Sequence, residues 1–540
     1  MSSKIFKISA VAATIAASFA ANAALYNVYL EAPEGASTDK QTYGVAIAPD
    51  TTVCWTGSQC VETNYAIATE VKRFRDGFSY RDEAPFFLPF GWNYLDDNWD
   101  GFKRYCRDYL GYSDTLCENW ATAQYTNGYK KEQDKIFAGS IAYIDTAEIY
   151  PESAIVNSLK SGKATGNKID ANNGGQPRSQ AFTSLDGSTT TILSLTDVGA
   201  SPQTFKESHA WKTIEDGGIY YTVGSVSTTH NHATSDNNSY AAVWIGNALQ
   251  EPIAWQGDAS NGDNRAHGSA RDVIKDGANM YAVGYNSDGD ERFKAAVFKS
   301  ADSGVTWNKG TLVSGFPFAT EEYVNQTLQA VNDNKIAIGT AKLRRRLNGA
   351  YANTLFYVPD VSATTPSYTE FSGSIFFSGA NGLAGSINNH NDVVGTVDFE
   401  THAETNGKPR AQRAFIANLG YIDGSSAPIG GQAHYLDDLT NGSASTDNNQ
   451  FRIIQAADIN DAGVIAATAY YCAGGFDSTA IDAKCTAGAS LAGVKLVPIS
   501  GRTANDITPR PVTQTTVERQ GGSLGILVLT VLGLLGFRRK

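Results

Sequence analysis

The sequence lacks most of the features that quickly reveal a function. It has no C-x-x-C pair and no cysteine with histidines at ligand spacing, which argues against a structural zinc site. Basic residues are not in excess: 43 Lys and Arg face 55 Asp and Glu, a formal charge of −12. That balance argues against nucleic acid or an anionic membrane as partner. Its C-terminal apolar run, Leu524 to Phe537, falls short of the ~17 residues that a spanning helix needs. Gly521-Gly522-Ser523-Leu524-Gly525 fits the G-x-S-x-G hydrolase pattern, but no His or acid follows to complete that chemistry.

What is present at the two ends concerns transport. Lys4 and Lys7 precede an apolar stretch from Ile8 to Phe19, and Ala21-Asn22-Ala23 makes an A-x-A cleavage site. Residues 1–23 are therefore expected to be a signal peptide, with signal peptidase cutting after Ala23. At the other end Gly521, Gly522 and Ser523 lead into the uncharged run, and Arg538-Arg539-Lys540 closes the chain. The positive-inside tendency would keep that basic end cytoplasmic. This tripartite tail, 521–540, resembles the GlyGly-type C-terminal sorting signal. The resemblance implies transient inner-membrane anchoring, cleavage near the glycines by a rhomboid-like protease, and export through type II secretion. A retained anchor is the alternative. The expected address is the cell surface or the medium. Without the five basic residues of the two ends, 38 basic residues face 55 acidic ones, a net −17 for the mature body.

The six cysteines fall as neighbours: Cys54 with Cys60, Cys106 with Cys117, and Cys472 with Cys485. An even count in an oxidising compartment favours disulfides. Connectivity stays open in the sequence, with neighbour pairing the cheapest because short loops cost least entropy to close.

The body repeats itself. Val331-Asn332-Asp333 leads to Gly339, Ile387-Asn388-Asn389 to Gly395, and Ile459-Asn460-Asp461 to Ala467, all at one offset. Longer turns give two more copies, Ile214 to Gly224 and Ile274 to Gly284, and a weaker one ends at Gly166. A second apolar strand follows each of the five clear copies, as in Ala241–Ile245 and Arg413–Ile416. Asn/Asp-rich turns between short β-rich runs predict hairpins. Periods of 55 to 60 residues, with one of 72 around the Cys472/Cys485 loop, suit four-stranded propeller blades with long loops. The fold class is therefore an all-β propeller of six or seven blades over 24–500. Seven follow if the lone early strand Leu25–Leu30 completes the last unit; six follow if the first unit packs outside the ring. That first unit carries an aromatic, partly helical insertion over 71–135, and 501–520 reads as a flexible spacer.

Ser300-Ala301-Asp302-Ser303-Gly304-Val305-Thr306-Trp307 matches the Asp-box motif, S-x-D-x-G-x-T-W. It resembles the boxes of sialidases and other propellers, which implies a structural role for Ser300, Asp302, Gly304, Thr306 and Trp307. The sialidase Arg-Ile-Pro clamp is missing, and Arg344-Arg345-Arg346 reads as a solvated hairpin tip. The unit style and sorting signals together resemble an uncharacterised exported family of Gram-negative bacteria, related to HAF-type extracellular repeat proteins. That resemblance implies no known activity.

Two candidate metal sites are weak. Asp96, Asn98 and Asp100 begin a Ca²⁺ loop, but its twelfth position, normally a bidentate Glu, is Arg107. His230 and His232 with Asp236 lack a third ligand. No catalytic residue is named and no cofactor is expected. The chain reads as a binding or scaffold protein that uses inter-strand loops and the aromatic insertion to grip a glycan, peptide or envelope partner, the alternative for the insertion's aromatics being that they pack it onto the ring. The alternative is a glycosidase-like hydrolase with its site at the propeller mouth, recognisable by carboxylates converging there from several blades.

Overall fold

The computed structural model describes residues 23–33, 41–72, 97–130, 134, 140–145, 147–150, 154–160, 163–168, 180–184, 190–228, 238–257, 260–261, 264–288, 293–404 and 409–513. Seven four-stranded antiparallel sheets stand around a central channel as the blades of a β-propeller. The inner strands of blades 1 to 7 are Gln41–Ile47, Ala154–Lys160, Glu207–Asp216, Gly268–Asp276, Tyr323–Val331, Gly382–Ile387 and Phe451–Ile459. A two-stranded ribbon, Ser260–Asn261 with Asn264–Arg265, lies between blades 3 and 4.

The ring closes through the N-terminal strand. Tyr26–Glu31 pairs antiparallel with Ser490–Pro498, from Tyr26 opposite Pro498 to Glu31 opposite Gly493, and so supplies blade 7 with its outer strand. Closure of this kind removes the open edges that a long all-β chain would otherwise expose. The first unit is a full member of the ring, packed between blades 7 and 2, so the count is seven rather than six. Its second strand, Ile67–Lys72, escaped the sequence reading.

Each repeated residue has a physical task. Asn332, Asn388 and Asn460 begin the turns between first and second strands, where each Oδ1 accepts the amide four residues on, at 2.9–3.0 Å. Each Nδ2 donates to the next blade: Asn332 to the Asn388 carbonyl, Asn388 to that of Asn460, and Asn460 to that of Ala48. In blades 5, 6 and 7 one buried side chain thus caps its own turn and clasps the neighbouring blade.

The marker glycine answers a steric demand. Every inner strand carries a β-bulge that begins just after the residue paired with the marker position, as at Ala210 opposite Gly224 and Ala270 opposite Gly284. A Cβ on Gly224 would lie 1.8 Å from the His209 carbonyl oxygen, and one on Gly284 would lie 2.0 Å from that of Ser269. No side chain fits there.

Apolar residues of adjacent sheets meet between the blades, as Val283 and Val297 of blade 4 meet Leu328 and Phe356 of blade 5. All three neighbour disulfides are present, Cys54–Cys60, Cys106–Cys117 and Cys472–Cys485. The stretch expected as a spacer after Ser500 is packed as far as Thr513. There Arg510 is buried and donates to the carbonyls of Asp437, Thr440 and Thr479. Residues 1–22 and 514–540 lie outside the described residues, with Gly521, Gly522 and Ser523 among them. Among the described residues no helix is long and apolar enough to cross a membrane.

Candidate functional site: the central cavity

The bulges of the inner strands, which face glycine in blades 2 to 6 but Thr69 in blade 1 and Ala467 in blade 7, also shape the channel. In blades 1 to 7 the extra residue is Val45, Asn157, Trp211, Arg271, Gln329, Gly385 and Ala457. All seven face one central cavity of about 660 Å³. A bulge re-aims the residue it extrudes, and here it aims one residue per blade at the axis. The seven are unequal. Blades 2 to 5 present Asn, Trp, Arg and Gln; blades 6, 7 and 1 present Gly, Ala and Val. The lining is therefore uneven, with polar and aromatic bulge residues on blades 2 to 5 and small ones on blades 6, 7 and 1.

The insertion covers this cavity. Helices α1 (Asn98–Tyr105) and α2 (Asp114–Ala121) are joined by the Cys106–Cys117 disulfide. Between them they bury Phe102, which lies 6.1 Å from Trp120 and 5.3 Å from Tyr125. Tyr105, Leu110, Tyr112, Trp120 and Gln124 line the same cavity as the bulge residues. The insertion thus spans the mouth of the channel.

On the wall, the Arg271 guanidinium lies over the Trp211 ring, 3.9 Å from its centroid. Tyr285 is close by and stacks on Phe293 at 4.9 Å. Below them is a charged floor. Lys212 sits near Asp272 and Asp458, with Asp461 and Asp333 beyond; burial pulls its pKa down, but these four carboxylates outweigh it and the value ends raised. Asp272 accepts the amides of Val273 (2.8 Å) and of Val331 in the next blade (3.0 Å). Asp458 does the same with Ile459 and, across the boundary to blade 1, Ile47, both at 3.0 Å. Burial raises the Asp272 pKa, with Lys212 and the amides opposing it. The two aspartates are floor joints between blades.

Lys342, on the second strand of blade 5, also lines the cavity. Its Nζ donates to the Tyr351 carbonyl at 2.6 Å. Burial lowers its pKa to about 8, although Glu404 and Asp398 pull the other way.

The sequence-derived candidates lie elsewhere. Asn98 and Asp100 stand on the first turn of α1, and the Asn98 Oδ1 accepts the Tyr125 hydroxyl at 2.8 Å. Asp96, His230, His232 and Asp236 lie outside the described residues. No cluster of three metal-ligating side chains occurs among the described residues. Arg344, Arg345 and Arg346 are exposed on a loop, Arg345 paired with Glu322 at 3.0 Å. The Asp-box follows the third strand of blade 4: Asp302 accepts the Thr306 amide and hydroxyl, and the Trp307 Nε1 donates to the Gly304 carbonyl. These bonds hold Asp302 down at a pKa of about 2. Sequence reasoning missed the cavity residues. Units aligned on the marker glycine would have set Gln329, Gly385 and Ala457 in one column, each two residues before the repeat's first apolar residue.

The family model for proteins of unknown function DUF3466 matches residues 248–540, more than half of the chain. The chain belongs to the DUF3466 family. Among curated proteins no match is found. Solved structures similar to this DUF3466 propeller include a Trypanosoma rangeli sialidase, 12% identical over 65% of this chain and 56% of that one, with a TM-score of 0.31. A GH93 α-L-arabinofuranosidase of Fusarium graminearum is 9% identical over 64% and 92%, with a TM-score of 0.32. A protein of unknown function from Dyadobacter fermentans is 12% identical over 64% and 94%, with a TM-score of 0.31. Likenesses this distant carry no argument about the activity of the DUF3466 chain.

Proposed function

We propose that this DUF3466 protein is an exported binding propeller that holds a polar, glycan-sized ligand in the central cavity beneath the insertion. One observation carries the reading: a sevenfold position is filled by large polar or aromatic residues on four blades and left small on three. About 660 Å³ is a common size for a small-molecule site, and an apolar-to-polar wall with a few placed donors is its usual lining. Export rests on residues 1–23 as a signal peptide and 521–540 as a sorting tail, and the three disulfides agree with an oxidising destination. Signal peptidase, a rhomboid-like protease and type II secretion would then be its processing partners.

A hydrolase reading has one point in its favour, because Glu70, Asp272 and Asp458 all line the cavity. Glycoside hydrolysis needs a carboxylic acid and a carboxylate working as a pair. Asp272 and Asp458 are each held by two backbone amides, which favours binding over catalysis. A glycan array probed with the mature protein, and with a variant lacking 71–135, tests the proposal. Binding by the intact protein alone, with both folded by circular dichroism, is the expected result. Equal binding by the two would exclude the cavity roof from the site.

A further inference from the structure

Lys342 is a buried cation with no counter-ion among the described residues. Its exposure is 5%, and no carboxylate among the described residues lies within 4 Å of its ammonium. Its one bond goes to a neutral carbonyl and uses one of three donors. The carboxylates that act on it from a distance are committed elsewhere. Asp398 accepts from Arg410, Gln412 and the Asn381 amide, and Glu404 accepts the Arg410 amide. An ammonium taken from water and left unpaired is destabilising unless something compensates it. Nothing on blade 5 does. Lys342 instead lines the cavity together with Gln326 and with Asn353, its partner across the second and third strands of blade 5.

Resting on the ligand reading above, we infer that the missing counter-ion is the ligand's: the cavity takes an acidic saccharide whose carboxylate docks on Lys342. The rest of the lining suits such a molecule. Gln326, Asn353 and Thr340 offer donors and acceptors to hydroxyls, while Trp120 and Tyr112 give the insertion flat faces for a sugar ring. The depressed pKa of about 8 is the signature of the same unmet need. The charged and titratable groups facing Lys342 are Glu404 and Asp398 of blade 6. Tyr112 of the insertion feels the same two carboxylates. Arg271, Glu70 and the Lys212 cluster face it across the cavity.

The sign of the pH effect follows. In the free protein a growing fraction of Lys342 is neutral as pH rises through about 8. A bound carboxylate favours the ammonium, so binding takes up protons above that pH, and affinity falls by up to about tenfold per unit.

Calorimetry of the mature protein with tetragalacturonate and with neutral galactotetraose tests the inference. The acidic tetramer is expected to bind with proton uptake at pH 8.5 and none at pH 6.5. Lys342→Met is expected to weaken it at least about tenfold, and Lys342→Arg to keep most of the affinity. Lys342→Met is expected to keep or raise the melting temperature of the free protein, because it removes an unpaired charge. Equal binding of both tetramers, unchanged by Lys342→Met, would overturn the acidic-ligand inference and leave the cavity as a neutral-glycan site. Binding of neither would overturn the inference as well, and the insertion-deletion array then decides the cavity reading separately.

Discussion

At the scale of single residues, the same short motif performs two jobs. In the inner hairpins a glycine is required because the bulging partner strand brings a carbonyl within 1.8–2.4 Å of where a Cβ would sit in blades 2 to 6. Gly284→Ala must therefore push the Ser269 backbone away, and the bulge that aims Arg271 goes with it. The expected loss is on the order of 3 kcal/mol, read as a lower denaturant midpoint at unchanged slope. The repeat period and the marker glycines were plain in the sequence. The use of the neighbouring residue was not, because a bulge is a register shift between two strands and leaves no mark on either strand alone. Gln329, Gly385 and Ala457 look like ordinary members of their strands until the pairing is known.

At the scale of elements, stability is concentrated in the joints between blades. Asn388 is the middle link of a chain of asparagines that runs from blade 5 through blades 6 and 7 to blade 1. Asn388→Ala removes the acceptor for the Asp392 and His390 amides, and it removes the donor to the Asn460 carbonyl, which keeps only the Gly463 amide. The expected cost is about 2–4 kcal/mol, and amide exchange should quicken first at the Asn388 and Asn460 turns. The hairpins themselves were legible, since Asn/Asp turns between apolar runs have a known geometry. The clasp was not, because nothing in one unit says where the next unit's carbonyl will lie. The insertion was legible as aromatic and partly helical. Its position over the channel was not, for it depends on the long-range path of the loop from blade 1. Asn98 and Asp100, read in the sequence as part of a loop, stand instead at the start of a helix.

At the scale of the whole molecule, seven nearly equivalent blades close into a ring through the N-terminal strand, and the ring's centre is deliberately unequal. Period and the spare strand Leu25–Leu30, both visible in the sequence, narrowed the count to six or seven, and the place of the first unit between blades 7 and 2 makes it seven. Function is carried by departures from the repeat, which a periodic reading averages away. Ala457 is the most direct place to challenge this account, because it is a small bulge residue with space before it. Calorimetric titration of the acidic tetramer into Ala457→Phe, with folding verified by its melting temperature, reads the outcome. A phenyl ring there would occupy the open side of the cavity, and the account predicts at least about a hundredfold loss of affinity in a folded propeller. Wild-type affinity in that folded variant would contradict the claim that the broken sevenfold ring makes the ligand site.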